Sequence, residues 1–349
     1  MQREQISNFA AGPSMLPTSV LQKISSELLN YQGTGTSVIE LSHRSKTFEA
    51  ILDATENNLR KLLTIPDNYQ ILFMQGGGST QFSMIPLNFC QQSDIVHYCV
   101  TGVWSSKAAE EAKKYAHVEI LDPKNWYINP NAKYLYYCDN ETINGIEFSE
   151  PPQTDIPLVC DMSSNFLSKR IDINRYAMIF AGAQKNFGIA GLTIGIIRND
   201  LLQHSARLYT PTMLNYALLA QNRSLYNTPP TFAIYVSKLI TEWLCEQGGI
   251  EVIEERNRAK AAMLYATIDA SKIFYNDVNH KYRSRMNVIF KCKDVKVEKE
   301  FFEQATGAGF IELAGHRSVG GCRASLYNAV TREMVEKLCE FMQAFELKS

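Results

Sequence analysis

One lysine of this sequence stands where neither helix nor strand periodicity asks for a cation. Lys185 lies in the stretch AGAQKNFGIAGLTIG, among glycines and amides, directly after the apolar run YAMIFAG. A lysine amine held near other cations or in an apolar pocket loses proton affinity and becomes a nucleophile toward carbonyl groups. The sequence therefore favours Lys185 as a residue that reacts with an aldehyde or ketone.

A carboxylate and an aromatic ring follow two other apolar runs. Asp161 ends the run IPLVCD, and burying it is costly unless it meets a cation, such as a protonated ring nitrogen. Trp104 follows DIVHYCVTG, where a helix is predicted to begin, and its indole can stack on a flat ring. A tryptophan at such a place is more often a core residue, so Trp104 alone indicates little.

Glycines and hydroxyls supply a candidate phosphate site. The stretch GGGST follows QILFMQ and opens a helix, where free N–H groups and the helix dipole favour a phosphate at Gly78 and Ser79. A triple glycine is equally typical of a flexible turn, and the stretch is neither a P-loop nor GxGxxG. Thr142 in DNETING adds a hydroxyl on a tight turn. The sequence thus offers, in chain order, a turn that can bind phosphate, an aromatic ring that can stack, a carboxylate that can hold a ring nitrogen and a lysine that can form a Schiff base. Together they predict a pyridoxal 5′-phosphate site.

The elements that must position these residues are strands of a mainly parallel sheet. Apolar runs bounded by Gly, Pro, Asn or Asp alternate with helical segments in the βαβ rhythm: QILFMQ, DIVHYCVTG, YLYYC, IPLVCD, YAMIFAG and LTIGIIR. In such sheets ligands bind beyond the carboxyl ends of the strands, where all these residues fall. The predicted fold class is therefore α/β, with a smaller α+β domain at the C-terminus.

Three regions are predicted along the chain. Residues 1–15 form an N-terminal segment near the active site, residues 16–255 a large cofactor-binding domain, and residues 256–349 a small C-terminal domain. One long helical stretch, TEWLCEQGGIEVIEERNRAKAAMLYATI, is predicted to lead from the large domain into the small one.

Composition excludes several classes of partner. With 35 basic and 36 acidic residues the net charge is −1, which gives no overall field for nucleic acid or a membrane, so small-molecule ligands are expected. The eight cysteines show no CxxC and the six histidines no HExxH, so we expect reduced structural thiols and no metal site. No signal peptide or apolar run of about 18 residues is found. These features predict a cytoplasmic protein.

Over nearly its whole length the sequence resembles the phosphoserine aminotransferase family, within the class-V aminotransferases and the fold-type-I pyridoxal-phosphate enzymes. The motifs that carry the resemblance are NFAAGPSMLP, GTGTSVIELSHRS, GGGSTQF, NETING, AGAQKNFGIAGLTI, YNTPPTF, SRMNV and GHRSVGGCRASLYNA. The resemblance implies a fold-type-I aminotransferase fold and a homodimer with shared active sites.

The resemblance also implies roles toward the cofactor. Lys185 carries it as a Schiff base, Asp161 holds the pyridine nitrogen, and Trp104 stacks on the ring. Four residues bind the cofactor phosphate, the last two reaching in from a partner subunit: Gly78, Ser79, Asn227 and Thr228. Two further residues contact the cofactor or line the site: Thr142 and Gln184.

For the substrate, the resemblance implies a pocket with basic residues that bind an anionic group at each end of the molecule. Arg317 grips the α-carboxylate, because a planar guanidinium makes two parallel hydrogen bonds. His43, Arg44 and His316 meet the distal anion, which is the phosphate of phosphoserine or the side-chain carboxylate of glutamate. Without the resemblance, His43 and Arg44 are more simply explained as a solvated loop pair.

Two departures from the family pattern concern the site. Ala11 stands where many members have a serine, and Ser79 stands where some have an arginine that assists a substrate phosphate. The segment LDPKNWYINPNAK, residues 121–133, is also shorter than its counterpart in many relatives.

The implied reaction is transamination from glutamate to 3-phosphohydroxypyruvate, which yields phosphoserine in serine biosynthesis. Lys185 then acts twice, as Schiff base and as general base in a proton shift. The sequence leaves open a second substrate, 4-phosphohydroxy-L-threonine of vitamin B6 synthesis. Alternatives on the same fold are a small-amino-acid aminotransferase and a desulfurase or lyase, although no cysteine lies in an evident mobile Gly/Ser-rich loop. A non-enzymatic cofactor-binding protein is disfavoured, because Lys185 and the substrate-facing arginines are present.

Overall fold

The computed structural model describes residues 2–122, 127–203 and 206–348. In chain order its strands are β1 (Ser7–Asn8), β2 (Tyr69–Met74), β3 (Ile95–Cys99), β4 (His117–Leu121), β5 (Leu135–Cys138), β6 (Asn140–Glu141), β7 (Ile146–Glu147), β8 (Leu158–Asp161), β9 (Met178–Gly182), β10 (Thr193–Arg198), β11 (Phe274–Tyr275), β12 (Asn287–Cys292), β13 (Phe310–Ile311) and β14 (Cys322–Ser325).

The α-helices are α1 (Thr18–Glu27), α2 (Lys46–Leu63), α3 (Gly77–Phe89), α4 (Val103–Ala112), α5 (Asn199–Leu202), α6 (Tyr216–Gln221), α7 (Thr231–Glu246), α8 (Gly249–Ala270), α9 (Val295–Gly307) and α10 (Arg332–Glu346). Short 3₁₀ helices lie at Arg3–Gln5, Tyr31–Gly33, Val38–Glu40, Ile173–Arg175, Thr212–Leu214 and His280–Tyr282. Within the described residues, no helix combines the length and the apolar character that crossing a membrane requires.

A seven-stranded sheet with the order β2-β10-β9-β8-β5-β3-β4 positions the candidate site residues. Strands β9, β8, β5, β3 and β4 pair in parallel, whereas β10 is antiparallel to both of its neighbours, β9 and β2. The prediction of a mainly parallel α/β sheet is therefore confirmed, and all six predicted strands are present. The edge strand β4 was not predicted, because its sequence HVEIL is half exposed and follows a polar helix without a break.

Both faces of this sheet are covered by apolar cores. Successive residues of a strand enter different cores, so that Tyr137 packs in one with α2 and α7, while Tyr136 packs in the other with α3 and α4. This burial on both sides explains why the central strands read as continuous apolar runs. Their carboxyl ends remain the place where polar residues gather.

The long helical stretch predicted near the domain boundary is two helices, so that prediction is wrong. Helix α7 ends at Glu246, and α8 begins at Gly249 after a turn in which Gly248 and Gly249 have φ of 100° and 80°. Glycine adopts this left-handed backbone without the steric cost that other residues meet. Helix α8 runs through the predicted boundary at residue 255, and the two-domain division stays a prediction.

A third apolar core lies in the C-terminal part of the chain. The antiparallel sheet β11-β12-β14 packs there with α8, α9 and α10. The N-terminal segment joins it, because β1 pairs in parallel with β13 and Phe9 is fully buried in this core. Composition alone gives no indication of this long-range pairing.

Candidate active site

A cavity of about 190 Å³ opens at the carboxyl ends of β5 and β8, between these strands and the first turns of α3 and α4. Seven of the predicted cofactor residues line it: Gly78, Ser79, Trp104, Thr142, Asp161, Gln184 and Lys185. The sheet brings them together because the strands that precede most of them are parallel and end at the same edge. Their individual roles stay predictions.

Lys185 lies half-buried on the turn that follows β9. Its Nζ donates a hydrogen bond to Thr142 Oγ1 at 2.9 Å and lies 6.0 Å from the centre of the Trp104 ring. The N-terminal segment fixes this turn, because the Ser14 amide donates to the Gln184 carbonyl at 2.9 Å and the Ser14 hydroxyl donates to the Lys185 carbonyl. Thr142 thus holds the Lys185 amine at the cavity wall, and Ser14 holds the backbone of the same turn.

Asp161, the last residue of β8, is a buried carboxylate that borders the cavity with 5% of its surface exposed. One oxygen accepts a hydrogen bond from the Ser163 amide at 2.8 Å, and no ion pair holds the carboxylate within the described part of the chain. Burial raises the pKa of Asp161, against the opposing effect of the Ser163 hydrogen bond and the charge of Lys185. A cationic ligand in the cavity would compensate this burial.

Trp104 lies in the first turn of α4 with its ring at the cavity. Its indole Nε1 is buried and has no hydrogen-bond partner. The ring also lies 4.8 Å from the Lys107 ammonium, so cations approach it from two sides. A buried donor without a partner points to a group that the protein itself does not supply.

The glycine turn before α3 leaves the start of that helix open. Gly76 and Gly77 have φ of 93° and 66°, and a side chain added at Gly77 would meet no atom within 4 Å. The first turn carries no acidic residue, so its free N–H groups and the positive end of the helix dipole face the cavity unopposed. This arrangement suits a phosphate.

Several predicted residues do not line this cavity within one chain. Asn227 and Thr228 are exposed on the loop between α6 and α7, and Asn227 borders a separate cavity beside Gly76. The prediction that they serve a partner subunit's site stays a prediction.

The candidate distal-anion residues lie on two loops. His43 is half-buried in the turn before α2, where its Nε2 has no partner, and Arg44 is exposed. His316 bonds Ser318 Oγ at 2.7 Å on the loop before β14, and Arg317 beside it is exposed. Burial, followed by the positive charges of neighbouring basic residues, lowers the pKa of His316.

Arg323 is a candidate substrate residue that sequence reasoning missed. From β14 its Nη1 approaches the Thr142 carbonyl at 3.5 Å, and its Nε is buried without a partner. Burial lowers the pKa of its guanidinium, and its contact with Thr142 places it near Lys185, which binds the hydroxyl of the same threonine. The residue is part of the motif GHRSVGGCRASLYNA, but spacing alone does not tell it from Arg317.

The departures from the family pattern lie at the edges of the site. The Ala11 carbonyl accepts a hydrogen bond from the Tyr327 hydroxyl at 2.8 Å, and Ser79 is exposed at the cavity mouth. Of the short segment 121–133, residues 123–126 lie outside the described residues.

The fold also gathers potential metal ligands that the sequence spacing does not reveal. The ligand atoms of Cys292, Glu298 and Cys322 lie within 4.8 Å of one another. All eight cysteines are free thiols. Both cysteines are buried and Glu298 is partly buried, and the absence of a metal site stays a prediction.

Comparison with known proteins shows the family to which the chain belongs. The model of the aminotransferase class-V family matches residues 6–338. A phosphoserine aminotransferase of Bacillus thuringiensis subsp. konkukian is 47% identical over 359 aligned positions, covering 99% of both chains, and one of Ectopseudomonas mendocina is 48% identical, covering 97% of both. A solved pyridoxal-phosphate-bound phosphoserine aminotransferase of Trichomonas vaginalis has a TM-score of 0.93 and 40% identity, covering 97% of this chain and 99% of its own.

Proposed function

Because the chain belongs to the class-V aminotransferases and, among them, to the phosphoserine aminotransferases, we propose that it transfers the amino group of glutamate to 3-phosphohydroxypyruvate. The products are O-phospho-L-serine and 2-oxoglutarate, and the cofactor is pyridoxal 5′-phosphate. The observation that carries the proposal is the meeting of Lys185, Asp161 and Trp104 at one cavity, where the Asp161 carboxylate is buried and the Trp104 indole Nε1 has no hydrogen-bond partner.

The residues present fit the cofactor. The start of α3 at Gly78 and Ser79 would hold its phosphate, Asp161 its protonated ring nitrogen and Trp104 the face of its ring, while Lys185 would attach it covalently. When bound, the cofactor supplies an exchangeable carbonyl carbon and a ring that accepts electrons from the substrate Cα.

The chain's own residues bind the substrate and move its proton. Lys185 Nζ, next to the Thr142 hydroxyl, is the general base that takes the proton from the substrate Cα and later returns one. Asp161 keeps its negative charge opposite a cation, since an opposite charge offsets the effect of burial on its pKa. The donors at the start of α3 fix the phosphate and thereby the orientation of the ring.

Two arginines compete for the substrate α-carboxylate. The sequence motif favours Arg317, which is exposed on its loop. Position favours Arg323, because its guanidinium lies beside Thr142, the partner of Lys185, and has an unpaired buried Nε. We assign the α-carboxylate to Arg323 and keep Arg317 as the alternative. His43, Arg44 and His316 bind the distal phosphate or carboxylate.

The active form is a homodimer in the cytoplasm, in which Asn227 and Thr228 of the partner subunit complete the phosphate site. Exposed apolar side chains support an interface, namely Tyr226 on this loop and Leu208 and Tyr209 between α5 and α6, which are 46%, 87% and 89% exposed. A cytoplasmic location also suits eight free cysteines, because thiols stay reduced there.

An assay of the purified protein tests the function. With glutamate as donor we expect fast conversion of 3-phosphohydroxypyruvate and much slower conversion of hydroxypyruvate or pyruvate, because only the first carries a distal phosphate. Equal rates would favour a small-amino-acid aminotransferase, and release of sulfide from cysteine would favour a desulfurase. Adding 4-phosphohydroxy-L-threonine as amino donor to 2-oxoglutarate decides whether it is a second substrate.

A further inference from the structure

Helix α4, which carries Trp104, begins without a capping side chain of its own. The residue before its first turn is Gly102, and the first turn contains no acidic residue. The first N–H groups of a helix have no partner inside the helix, and leaving them buried without one is costly. The partner must therefore come from another part of the chain.

Glu141, from the end of β6, supplies that partner. Its Oε2 accepts a hydrogen bond from the Trp104 amide at 3.0 Å, and its Oε1 accepts from the Ser105 amide at 2.8 Å and from the Ser105 hydroxyl at 2.6 Å. Asn144 from the same hairpin adds a bond to the Val103 amide at 3.1 Å. The hairpin of β6 and β7 thus caps α4 from a distance of nearly forty residues in sequence.

The hydrogen-bond donors around Glu141 favour its anionic form. The side chain is fully buried, and among the residues described no ion pair compensates it. Burial raises the pKa of Glu141, whereas the Ser105 and Trp104 hydrogen bonds lower it. All three bonds come from N–H or O–H donors, so a proton on the carboxyl group would compete with one of them. The positive end of the α4 dipole favours the charge.

The backbone around this contact has room for glycine only. A Cβ atom at Gly102 would lie 2.5 Å from Asn144 Oδ1 and 2.6 Å from Glu141 Cδ, closer than real carbon contacts allow. The close approach of the hairpin to the helix start therefore depends on Gly102. The contact between the hairpin and the start of α4 is therefore part of the architecture of the site.

The neighbours of Glu141 in sequence hold other parts of the same cavity. Thr142 accepts the hydrogen bond of Lys185 Nζ, and Asn140 Nδ2 donates to Asn287 Oδ1 at 2.7 Å on the small sheet. We propose that Glu141 is a positioning residue: its carboxylate holds the start of α4 so that the Trp104 indole stays beside Lys185 and can stack on the cofactor ring. This inference rests on the proposed use of pyridoxal phosphate.

Three variants test the inference. Glu141→Gln keeps the shape but removes the charge and one acceptor oxygen, and Glu141→Ala removes the cap. Glu110→Ala is the matched control, since Glu110 is an exposed carboxylate on the same helix that pairs with Lys113 at the surface. Each variant is also made with Trp104→Phe, so that subtraction isolates the emission of Trp104.

The first measurement uses cofactor-free protein. We expect Glu141→Ala and Glu141→Gln to shift the Trp104 emission to the red and to raise its quenching by acrylamide, while Glu110→Ala matches the wild type. Circular dichroism at the same temperature confirms that the compared proteins are folded. This readout is independent of activity.

The second measurement titrates pyridoxal phosphate. Glu141 makes charge-assisted hydrogen bonds to the helix that carries Trp104. We therefore expect the Kd for pyridoxal phosphate to rise by about 10-fold or more in Glu141→Ala and by less in Glu141→Gln. We also expect kcat to fall more than KM rises. Unchanged Trp104 quenching and unchanged cofactor Kd in folded Glu141→Ala would overturn the positioning role, even if the melting temperature fell. Failure of the wild type to bind the cofactor would instead overturn the proposed function.

Discussion

Lys185 Nζ and Thr142 Oγ1 lie 2.9 Å apart and join the turn after β9 to the hairpin of β6 and β7. The hydroxyl also sits on the residue whose carbonyl faces Arg323. One threonine therefore contacts both the proposed base and the proposed carboxylate ligand of the substrate. The first predictions concern this pair.

Replacing Lys185 with alanine should abolish transamination, because the variant lacks both the group that attaches the cofactor and the general base. The purified variant should also lack covalently held chromophore. Borohydride treatment of the wild type followed by peptide mapping should find the cofactor fixed to Lys185. Lys113→Ala, at an exposed lysine directly after α4, should behave as the wild type. Near-normal turnover by Lys185→Ala, or cofactor fixed to another lysine, would contradict the assignment.

Replacing Thr142 with valine removes the hydroxyl but keeps the shape of the side chain. We expect kcat to fall by roughly 5- to 10-fold, the equivalent of one hydrogen bond of about 1 kcal/mol to an amine that must be held in place. Thr142→Ser keeps the hydroxyl and should retain most of the activity. The measurement is steady-state kinetics with saturating glutamate. Equal losses in both variants would show that packing of the methyl group, and not the hydrogen bond, is what matters.

The convergence of these residues was predictable from the sequence because it follows from local signals. Buried parallel strands read as apolar runs, and Asp161 and Lys185 each follow such a run closely. Once those strands are parallel, their carboxyl ends share one edge, and no knowledge of strand order is needed to place both residues there.

The remaining features depend on long-range pairing, which residue spacing does not encode. The antiparallel pairing of β10 with β2, the pairing of Ser7 with Phe310 and the approach of Arg323 to Thr142 join segments far apart in sequence. The break at Gly248 does have a local signal, because two adjacent glycines are typical of a helix end. The role of Glu141 has no local signal, because the Ser105 amide that it binds lies 36 residues earlier in the sequence.

Replacing Arg44 with alanine tests the distal-anion pocket. Charge-assisted contacts contribute roughly 1.5 to 3 kcal/mol each, so kcat/KM for phosphoserine should fall by about 10- to 150-fold. Alanine, which has no distal anion, should be turned over as by the wild type. Equal losses for phosphoserine and alanine would show that Arg44 does not read the distal group.

Activity toward phosphoserine and alanine also distinguishes Arg323 from Arg317 as the ligand of the α-carboxylate. Arg323→Ala should lower kcat/KM for phosphoserine and alanine alike, because both carry the α-carboxylate. Arg317→Ala should affect mainly phosphoserine if it only adds positive charge near the distal anion. The opposite pattern, with Arg317→Ala lowering both and Arg323→Ala neither, would return the α-carboxylate to Arg317 as the sequence predicts.

Mixing two inactive proteins tests the shared active site. Lys185→Ala lacks the base, and an Asn227→Ala, Thr228→Ala double variant lacks the side chains predicted to reach the partner's phosphate site. In a hybrid dimer one site has both defects and the other has neither, so activity should recover toward about a quarter of the wild-type value at random exchange. No recovery after exchange is verified by mass spectrometry would contradict the contribution of Asn227 and Thr228 to the partner subunit.

Lys260 gives a prediction about stability and pH. The side chain is 2% exposed, and its Nζ donates to the carbonyls of Leu326, Tyr327 and Val330 at 3.0, 2.9 and 2.8 Å. Burial, followed by the nearby charge of Arg256, lowers the pKa of Lys260 to about 7, below its ordinary value of 10.5. Between these values the unfolded chain binds more protons than the folded one, so the free energy of unfolding rises with pH.

The comparison that reveals this effect is between the wild type and Lys260→Met, which has no titrating amine. From pH 7 to 9.5 the wild-type free energy of unfolding in urea should rise relative to the variant, with a limiting slope of about 1.4 kcal/mol per pH unit. Both proteins are compared with saturating cofactor at one protein concentration, because ligand and partner binding shift apparent stability. Lys299→Met, at an exposed lysine of α9, should show no such difference from the wild type. If the curves of the wild type and Lys260→Met stay parallel, the three carbonyl groups hold the ammonium in its charged form throughout this range, and the contribution of Lys260 to stability is independent of pH.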